Sequence, residues 1–204
     1  MSAPRKPKLT AVEYLAIENA AAFKSEFFDG EMFPLHRDGS PQNMAGASPP
    51  HNIIRENLSI EIGSQLKGGS CRTVSSDQRL KVERTSLNTY PDLMVICGEW
   101  EFAADDANAV LNPVAIVEVH SPVSWKYDRG AKFRNYQQIP SLKEYILVAQ
   151  DEAVCERFVR LADGSWALVS FVGLADTLAF TSVPVRVPLA DVYTGVIFPA
   201  PPSP

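Results

Sequence analysis

Two acidic residues, Asp92 and Glu118, stand where a carboxylate could do chemistry. Pro91 and Asp92 open the apolar run Asp92–Cys97, and Glu118 lies within the apolar run Val114–Val119. A carboxylate inside a run typical of a buried strand is costly unless a metal ion or a partner charge stabilises it. Glu118 is therefore a candidate functional residue, and Asp92 is its candidate partner.

The predicted strands bring these two acids together. If Asp92–Cys97 and Val114–Val119 pair in antiparallel fashion, the start of the first strand lies beside the end of the second. Side chains alternate along a strand, so Glu118 and His120 share one face of the sheet. Mg²⁺ takes one or two carboxylates and completes its shell with water and phosphate oxygens. The spacing thus predicts a metal-assisted phosphodiesterase centre.

Each candidate also has a purely structural interpretation. Asp92 could simply open a strand at a turn, a common use of aspartate after proline. Glu118 could form a buried ion pair with Lys132 or Arg129. His120 could be a hydrogen-bonded histidine at the end of a strand. We favour the metal site for the two acids, and for His120 both interpretations stay open.

Four ordered segments carry a resemblance to a known family. They are Tyr90–Asp92, Ile116–Pro122, Tyr127–Phe133 and Ile139–Tyr145. In this order they resemble the Uma-two family of endonucleases, a branch of the PD-(D/E)XK nuclease superfamily with a restriction-endonuclease-like fold. The likeness runs from about Thr10 to the strands near Val187. It implies an enzyme that uses Mg²⁺, with Mn²⁺ as a substitute, to cleave DNA.

The resemblance also implies roles for individual residues. Asp92 and Glu118 become the metal-binding acids, and the backbone carbonyl of Val119 is expected to complete the protein ligands. The superfamily pattern places a lysine two residues after the glutamate, where this chain has His120. In some branches that lysine comes from the following helix, where Lys132 stands. His120 and Lys132 are therefore both candidate catalytic residues.

Other candidates have simpler alternatives. Lys132 stands four residues after Asp128, which is the spacing of an ion pair on one helix face. Glu26 and Glu31 are weaker candidates that would join the site if an N-terminal hairpin folds over it. His51 is a further weak candidate, since a polar contact at the start of a helix would account for it.

The composition is that of an ordinary soluble domain. With 204 residues, 46% of them hydrophobic and 21% charged, the chain can bury one core. We expect a single domain over residues 1–198 and a disordered Pro-rich tail over residues 199–204. The net charge of −5 argues against strong non-specific binding of nucleic acid. It does not exclude a nuclease, because bound cations offset an acidic centre.

No stretch reaches membrane-spanning length without charges or turn-forming residues, and residues 1–8 carry charge without an apolar segment. We therefore expect a cytoplasmic protein without a membrane partner. Cys71, Cys97 and Cys155 are an odd number without metal-site spacing, which predicts buried reduced thiols. A homodimer is also expected, because cutting both strands of a duplex with one site per chain favours a two-fold pair.

The elements that must position the site follow from periodicity and turn signals. The N-terminal part is predicted to form a helix from Thr10 to about Ala22 with a buried stripe of Val12, Leu15 and Ala16, a hairpin over Phe27–Phe33 and a loop over Pro34–Pro50. The core is predicted to contain a helix over His51–Leu66, strands over Arg72–Val82 and Asp92–Cys97, the strand with Glu118, a helix from Asp128 to about Ile139 and a strand over Glu144–Ala149. The C-terminal part is predicted to form a meander over Val154–Arg160, Trp166–Val172 and Val183–Val187. The charges of Asp77–Lys81 are expected on a solvated strand face.

The predicted fold class is α/β (α+β). Its core has the order helix, three strands, helix, strand, which matches the restriction-endonuclease-like fold that the resemblance implies. An N-terminal helix and hairpin precede this core, and a β meander follows it.

Three functional hypotheses remain at this point. The leading one is a metal-dependent DNA endonuclease. The rival is a nuclease-like scaffold that has lost its catalytic lysine and binds nucleic acid or protein. A third is a metal centre that acts on another phosphate ester. No residue pattern identifies a DNA sequence, and fold analogy cannot supply one.

Overall fold

The computed structural model describes residues 8–22, 24–34 and 48–199. Most of the loop predicted over Pro34–Pro50 lies outside these ranges, and so does the predicted tail after Pro199. Within the described ranges, no helix is long and apolar enough to cross a membrane.

The described residues form five α-helices, one π turn and fourteen strands. In chain order they are α1 Ala11–Ala20, β1 Ser25–Phe28, β2 Glu31–Pro34, α2 Pro49–Leu66, β3 Cys71–Ser75, β4 Arg79–Val82, β5 Leu87–Thr89, β6 Leu93–Cys97, β7 Phe102–Ala103, β8 Asp106–Val110, β9 Pro113–His120, α3 Trp125–Tyr127, a π turn Asp128–Lys132, α4 Phe133–Tyr136, β10 Glu144–Ala149, β11 Val154–Arg160, β12 Trp166–Val172, β13 Thr177–Ala179, β14 Arg186–Pro188 and α5 Leu189–Val192.

The central sheet has six strands in the order β12, β11, β10, β9, β6, β3. β6 runs antiparallel to β9, with Leu93 opposite Val117. β9 runs parallel to β10, with Glu118 opposite Leu147. Both pairings confirm the predicted topology. They bring the start of β6 next to the end of β9, where Asp92 and Glu118 lie.

Two apolar layers cover this sheet. On one face, α2 buries the residues whose four-residue spacing predicted the helix, namely Ile54, Leu58, Ile62 and Leu66. On the other face, Phe133 and Tyr136 of α4 form a second cluster with Ile116 of β9. Because β9 lies between two apolar layers, a charged side chain on either face of this strand is buried.

The strand predicted over Arg72–Val82 is wrong, because this stretch forms β3 and β4 in different sheets. β4 belongs to a second sheet with the order β2, β1, β5, β4, β8, β7. Between β3 and β4 the chain turns, with the Gln78 N–H donating to the Ser75 carbonyl at 3.1 Å. Lys24 donates to the Ser76 carbonyl in this turn at 2.9 Å. Alternation along the sequence does not reveal a contact from such a distant segment.

Among the charges of Asp77–Lys81, Arg79 departs from the predicted solvated face, whereas Asp77 is exposed as predicted. Arg79 is buried and donates to Asp106 Oδ2 and, at 2.8 Å, to the Tyr90 hydroxyl. Tyr90 in turn donates to Glu18 Oε1 at 3.0 Å. We call these residues the arginine network, which consists of Glu18, Arg79, Tyr90 and Asp106. It joins α1 to the second sheet.

The first helix has its predicted start but not its predicted stripe. Thr10 and Glu13 form the capping box. The buried residues are Tyr14 and Glu18, whereas Val12 is 75% exposed. Tyr14 and Glu18 both form hydrogen bonds to β1. Polar contacts with the hairpin, rather than apolar spacing, therefore orient this helix.

The hairpin of β1 and β2 confirms its sequence signal. Asp29 and Gly30 have φ angles of 48° and 78°, as a tight turn between antiparallel strands requires. The turn places Glu26 on β1, and the β1 strand pairs with β5 through Phe27 and Asn88. Glu26 is buried as a result.

The cysteines differ from their prediction. Cys71 and Cys97 lie directly opposite each other in the antiparallel pair of β3 and β6, and they form a disulfide. The prediction of reduced thiols is wrong for these two, because their separation of 26 residues hides the register that brings them together. Cys155 is free and buried, as predicted.

The predicted meander is correct for two of its three strands. β11 and β12 extend the central sheet in antiparallel fashion. The third predicted strand, Val183–Val187, is wrong as part of this sheet. Its end forms β14, which pairs with β13 in a separate two-stranded sheet.

Candidate active site

Asp92 lies just before β6 and is held from two sides. Its Oδ2 accepts the Val119 N–H at 2.8 Å and lies 3.1 Å from Nε2 of His51. His51 sits in the first turn of α2, where its own N–H donates to the capping Ser48 hydroxyl. Within the described part of the chain, both of these contacts end on Oδ2. The Oδ1 atom of Asp92 therefore keeps its lone pairs for another partner.

Glu118 is buried at the end of β9, and it is paired. Its Oε1 lies 2.8 Å from Nζ of Lys132 and accepts the Tyr136 hydroxyl at 2.7 Å. Its Oε2 lies 3.4 Å from the Asp92 backbone N–H. Asp92 and Glu118 thus meet as the two strands predict. Lys132 joins them, so the buried ion pair foreseen as an alternative exists alongside the pair of acids.

The helix that carries Lys132 begins earlier than predicted. It starts at Trp125, after a turn in which the Ser121 and Ser124 hydroxyls bond to each other's backbone N–H groups. Asp128 is therefore not a helix cap, and that prediction is wrong. Instead, Asp128 opens the π turn, and its carbonyl accepts the Tyr145 hydroxyl at 3.1 Å. Wider turns of this kind are common at functional sites.

Two further acids surround Lys132. Glu26 Oε1 lies 3.4 Å from Lys132 Nζ, and Asp128 Oδ1 lies 3.8 Å from it. Glu26 also accepts the Thr89 hydroxyl at 2.5 Å and the Tyr127 hydroxyl at 2.7 Å. We call the buried group the acidic cluster, which consists of Glu26, Asp92, Glu118, Asp128 and Lys132. Three of its carboxyl groups, those of Glu26, Glu118 and Asp128, lie 2.8 to 3.8 Å from the Lys132 ammonium, and Asp92 lies beside Glu118.

The pKa shifts follow from this crowding. Burial raises the pKa of Glu118 to about 8, because the charge of Lys132 offsets only part of the desolvation. Burial opposes protonation of Lys132, but Glu118 and the acids around it raise its pKa well above the usual value. Burial is the largest single effect on Asp92 and disfavours its ionised form, but the hydrogen bond and charge of His51, the Val119 N–H and the charge of Lys132 together outweigh it and lower the pKa of Asp92. The cluster holds more acid than its own lysine neutralises.

His120 and Glu31 stay apart from this arrangement. His120 is buried on β9, and its Nδ1 has no hydrogen-bond partner among the described residues. Burial lowers the pKa of His120, with Asp128 as the largest opposing charge. Glu31 is exposed on β2, opposite Phe28. Of the weaker candidates, Glu26 and His51 reach the cluster through their side chains, whereas Glu31 does not.

The residues at the strand ends fit a hard divalent cation. Within the described ranges, no three or more His, Cys, Asp or Glu side chains converge as a metal-binding group. Mg²⁺ needs fewer protein ligands than a group of this kind, because one or two carboxylates and several waters complete its coordination. Asp92 and Glu118 supply those carboxylates.

A proline leaves a backbone oxygen available beside them. The register of Leu93 opposite Val117, continued by two residues, sets Pro91 opposite Val119. Proline has no N–H, so it cannot donate to the Val119 carbonyl as another residue would in an antiparallel ladder. That carbonyl is thus a third hard oxygen at the same strand end.

The sequence does not predict three members of the site. Tyr136, Tyr127 and Thr89 donate hydroxyl hydrogen bonds to the carboxylates. Tyr136 had a usable signal, because Asp128, Lys132 and Tyr136 recur every four residues along one helix side. Thr89 had none, since its contact with Glu26 depends on the pairing of β1 with β5.

Comparisons with known proteins identify the family of this chain. The family model Uma2, described as "Putative restriction endonuclease", matches residues 11–188. Two uncharacterized proteins of Synechocystis sp. are similar. One, slr1290, is 31% identical over 192 residues, which cover 94% of this chain and 95% of the relative. The other, sll1609, is 36% identical over 165 residues, which cover 81% of this chain and 88% of the relative.

A solved structure shares the fold. The crystal structure of a "putative nuclease belonging to DUF820" from Anabaena variabilis matches with a TM-score of 0.72 and 15% sequence identity. The match covers 93% of this chain and 99% of that chain. A match at this sequence identity is evidence for the fold alone, and it confirms the fold class predicted from the sequence.

Proposed function

Because this chain belongs to the Uma2 family, we propose that it is a metal-dependent endonuclease that hydrolyses phosphodiester bonds in DNA. One observation carries the proposal, namely the 2.8 Å contact of Lys132 with Glu118 beside Asp92. Two carboxylates and one lysine at the end of a strand are the donor set that the superfamily pattern requires. Here the lysine comes from the helix instead of from the strand.

Asp92, Glu118 and the Val119 carbonyl would hold the metal. A bound Mg²⁺ or Mn²⁺ would lower the pKa of a coordinated water and neutralise charge on the scissile phosphate. The rest of the site works through its own residues. His51 and the Val119 N–H fix the Asp92 carboxylate from one side, so that its other oxygen is presented in a set direction.

Lys132 would be the catalytic cation. Its ammonium lies within hydrogen-bond distance of Glu118, so it can orient an attacking water or stabilise the charge that develops on phosphorus oxygens. Glu26 and Asp128 keep this ammonium charged and restrict its position. His120 forms no comparable contact among the described residues, which favours Lys132 as the replacement for the strand lysine.

The charge balance supports a cation as the missing partner. The acidic cluster contains four carboxyl groups and one lysine, and all five side chains are largely buried. Buried carboxylates without enough countercharge are costly. A divalent cation between Asp92 and Glu118 would offset that cost and would allow both acids to stay ionised.

Nicking of supercoiled plasmid tests this function. Wild type should nick DNA when Mg²⁺ or Mn²⁺ is added and should stop when the metal is chelated. Lys132→Met should reduce the rate by about a hundredfold or more, as expected for loss of one preorganised catalytic group. Lys126→Met is the matched control, because Lys126 is an exposed lysine of the preceding helical turn. It should cut at the wild-type rate.

Two outcomes would count against the proposal. If His120→Ala loses activity and Lys132→Met keeps it, the catalytic group is wrongly assigned. If pure, folded wild type cuts no DNA in either metal, the enzyme itself is wrongly assigned. Far-ultraviolet circular dichroism of each variant separates loss of activity from loss of fold.

A further inference from the structure

β12 ends the central sheet with an unusually apolar strand. Its seven residues, Trp166–Val172, contain no charge, no proline and no glycine. Leu168 is 43% exposed, Val169 is 40% exposed and Val172 is 64% exposed. An exposed apolar edge is a template for pairing with another strand. Soluble proteins usually protect such edges.

The other outer strands carry that protection. β3, at the opposite end of the central sheet, has the exposed Arg72. In the second sheet, β2 contains Glu31 and Pro34, and β7 is only two residues long. Charge, proline and shortness are the usual devices that prevent edge pairing. Among the outer strands of the two six-stranded sheets, β12 alone lacks all three within the described residues.

The backbone of β12 presents a regular row of outward groups. The Leu161 N–H donates to Ser165, and the Gly173 N–H donates to Ala153, both at 2.8 Å. Residues with odd numbers between these bonds therefore face β11, because hydrogen-bonded positions alternate in an antiparallel ladder. The even-numbered Trp166, Leu168 and Ser170 direct their N–H and carbonyl groups away from the sheet.

The end of this row is already capped. The Val172 N–H, which also points outward, donates to Asp176 Oδ2 at 2.7 Å. The open portion is thus confined to three residues, with Leu168 at its centre. This length sets the register that a partner strand can adopt.

We propose that the β12 edge is the interface of a two-fold homodimer. Antiparallel pairing of β12 with β12 of a second copy sets Leu168 opposite Leu168 of the partner subunit, and Trp166 opposite Ser170 of the partner subunit. This register joins the open groups through about six backbone hydrogen bonds. It also covers the exposed leucines on one face and the exposed Val169 side chains on the other.

A second copy fits this edge better than another partner does. A two-fold axis through Leu168 uses the same three residues on both sides, so the contact is self-complementary and closed. A charged or specific peptide partner would be expected to meet charged or polar side chains on the receiving strand, and β12 has none with a charge. The pairing consumes both edges and leaves no open end for growth into larger assemblies.

Sedimentation and hydrogen exchange test the interface on the full chain. Wild type should sediment as a dimer at micromolar concentration. The Leu168 and Ser170 amides should exchange slowly in that dimer and faster on dilution, whereas a free edge exchanges fast at every concentration. Leu168→Lys should weaken the dimer by about tenfold or more, because it sets two like charges directly opposite each other.

A backbone variant and a matched control show whether any loss of the dimer is specific to the β12 edge. Ser170→Pro removes one outward N–H that β11 does not use, so it should weaken the dimer and leave the monomer folded. Ile60→Lys adds the same charge at an exposed site on α2 and should leave the dimer intact. Overturning results would be a monomer with fast exchange at all concentrations, a dimer unaffected by both β12 variants, or open-ended aggregates in place of a closed dimer. None of these results depends on DNA cleavage.

Discussion

Two buried charged groups in this fold differ in how they are satisfied. In the arginine network, Glu18 accepts the Ser25 backbone N–H and the Tyr90 hydroxyl, and Asp106 accepts Arg79 and the Asn108 N–H. Each acid has donors on both of its oxygens. In the acidic cluster, there is one lysine for four carboxyl groups, and three of the four contact it.

The difference distinguishes a structural network from a proposed functional site. The arginine network ties a helix to a sheet, and its hydrogen bonds balance within the protein. The acidic cluster contains three more carboxyl groups than lysines, although hydroxyl and N–H donors contact its acids, and its pKa shifts record that imbalance. The arginine network contains only one more carboxyl group than cations. A buried acid therefore indicates function when the local excess of acid is large, not merely because it is buried.

The largest expected effect lies in the balanced network. Arg79→Met should lower the free energy of unfolding by about 3–5 kcal/mol, because Asp106 stays buried without its cation. Lys132→Met should cost less near neutral pH, since Glu118 can take up a proton readily. Urea unfolding of both variants in EDTA measures the two losses. Equal losses of unfolding free energy in the two variants would contradict the proposed difference in charge balance between the two groups.

A smaller effect is expected from metal. At a concentration about a hundred times its dissociation constant, Mg²⁺ should stabilise wild type by about 2.7 kcal/mol. Asp92→Asn should remove this gain, because it removes one of the two ligand carboxylates. Asp106→Asn is the matched control in the arginine network and should keep the gain. Thermal unfolding with increasing Mg²⁺ measures it. Retention of the full gain in Asp92→Asn would place the metal elsewhere.

Per pH unit, the smallest expected effect is a dependence of stability on pH. The pKa of Glu118 in the folded chain is about 8, above its ordinary value of 4.5. Glu118 therefore takes up a proton on folding between these values. The resulting stability is fully present below pH 4.5 and is lost as the pH rises through 8. The slope contributed by this one group is at most about 1.4 kcal/mol per pH unit.

Glu118→Gln isolates that contribution. In EDTA, the stability of wild type should fall more steeply between pH 5 and 8 than the stability of Glu118→Gln. Asp106→Asn leaves Glu118 intact and should keep the wild-type slope. Identical slopes in wild type and Glu118→Gln would show that Glu118 is ionised throughout this range. Denaturant titrations at several pH values provide the measurement.

The predictions from sequence are most accurate where a local residue pattern determines the secondary structure and its burial. The stripe of α2 and the apolar run of β9 follow from spacing alone, because each is buried along its whole length. The meeting of Asp92 and Glu118 also follows, since it needs only the antiparallel pairing of two neighbouring strands. Lys132 could be named as a candidate because the family resemblance directs attention to the helix.

What the sequence misses depends on distant partners. The turn between β3 and β4 accepts a hydrogen bond from the distant Lys24, and the disulfide of Cys71 and Cys97 depends on strand register. Tyr14 is buried because the hairpin accepts its hydroxyl. These contacts join segments whose relation no local period encodes. For the same reason, the sequence does not identify Thr89 as a member of the site.

The π turn makes the position of the lysine a matter of chain length. Asp128, Lys132 and Tyr136 face β9 together across a helix that changes its winding between them. A substitution within the turn leaves this phase unchanged. Because a π turn accommodates one extra residue, removal of a residue within it would restore regular α winding and leave the residues before and after it on nearly the same faces. Removal of a residue from the α winding before the π turn would instead rotate the whole turn by about 100° and carry Lys132 away from Glu118. Relatives with a different number of residues before the π turn would thus need their cation at another position.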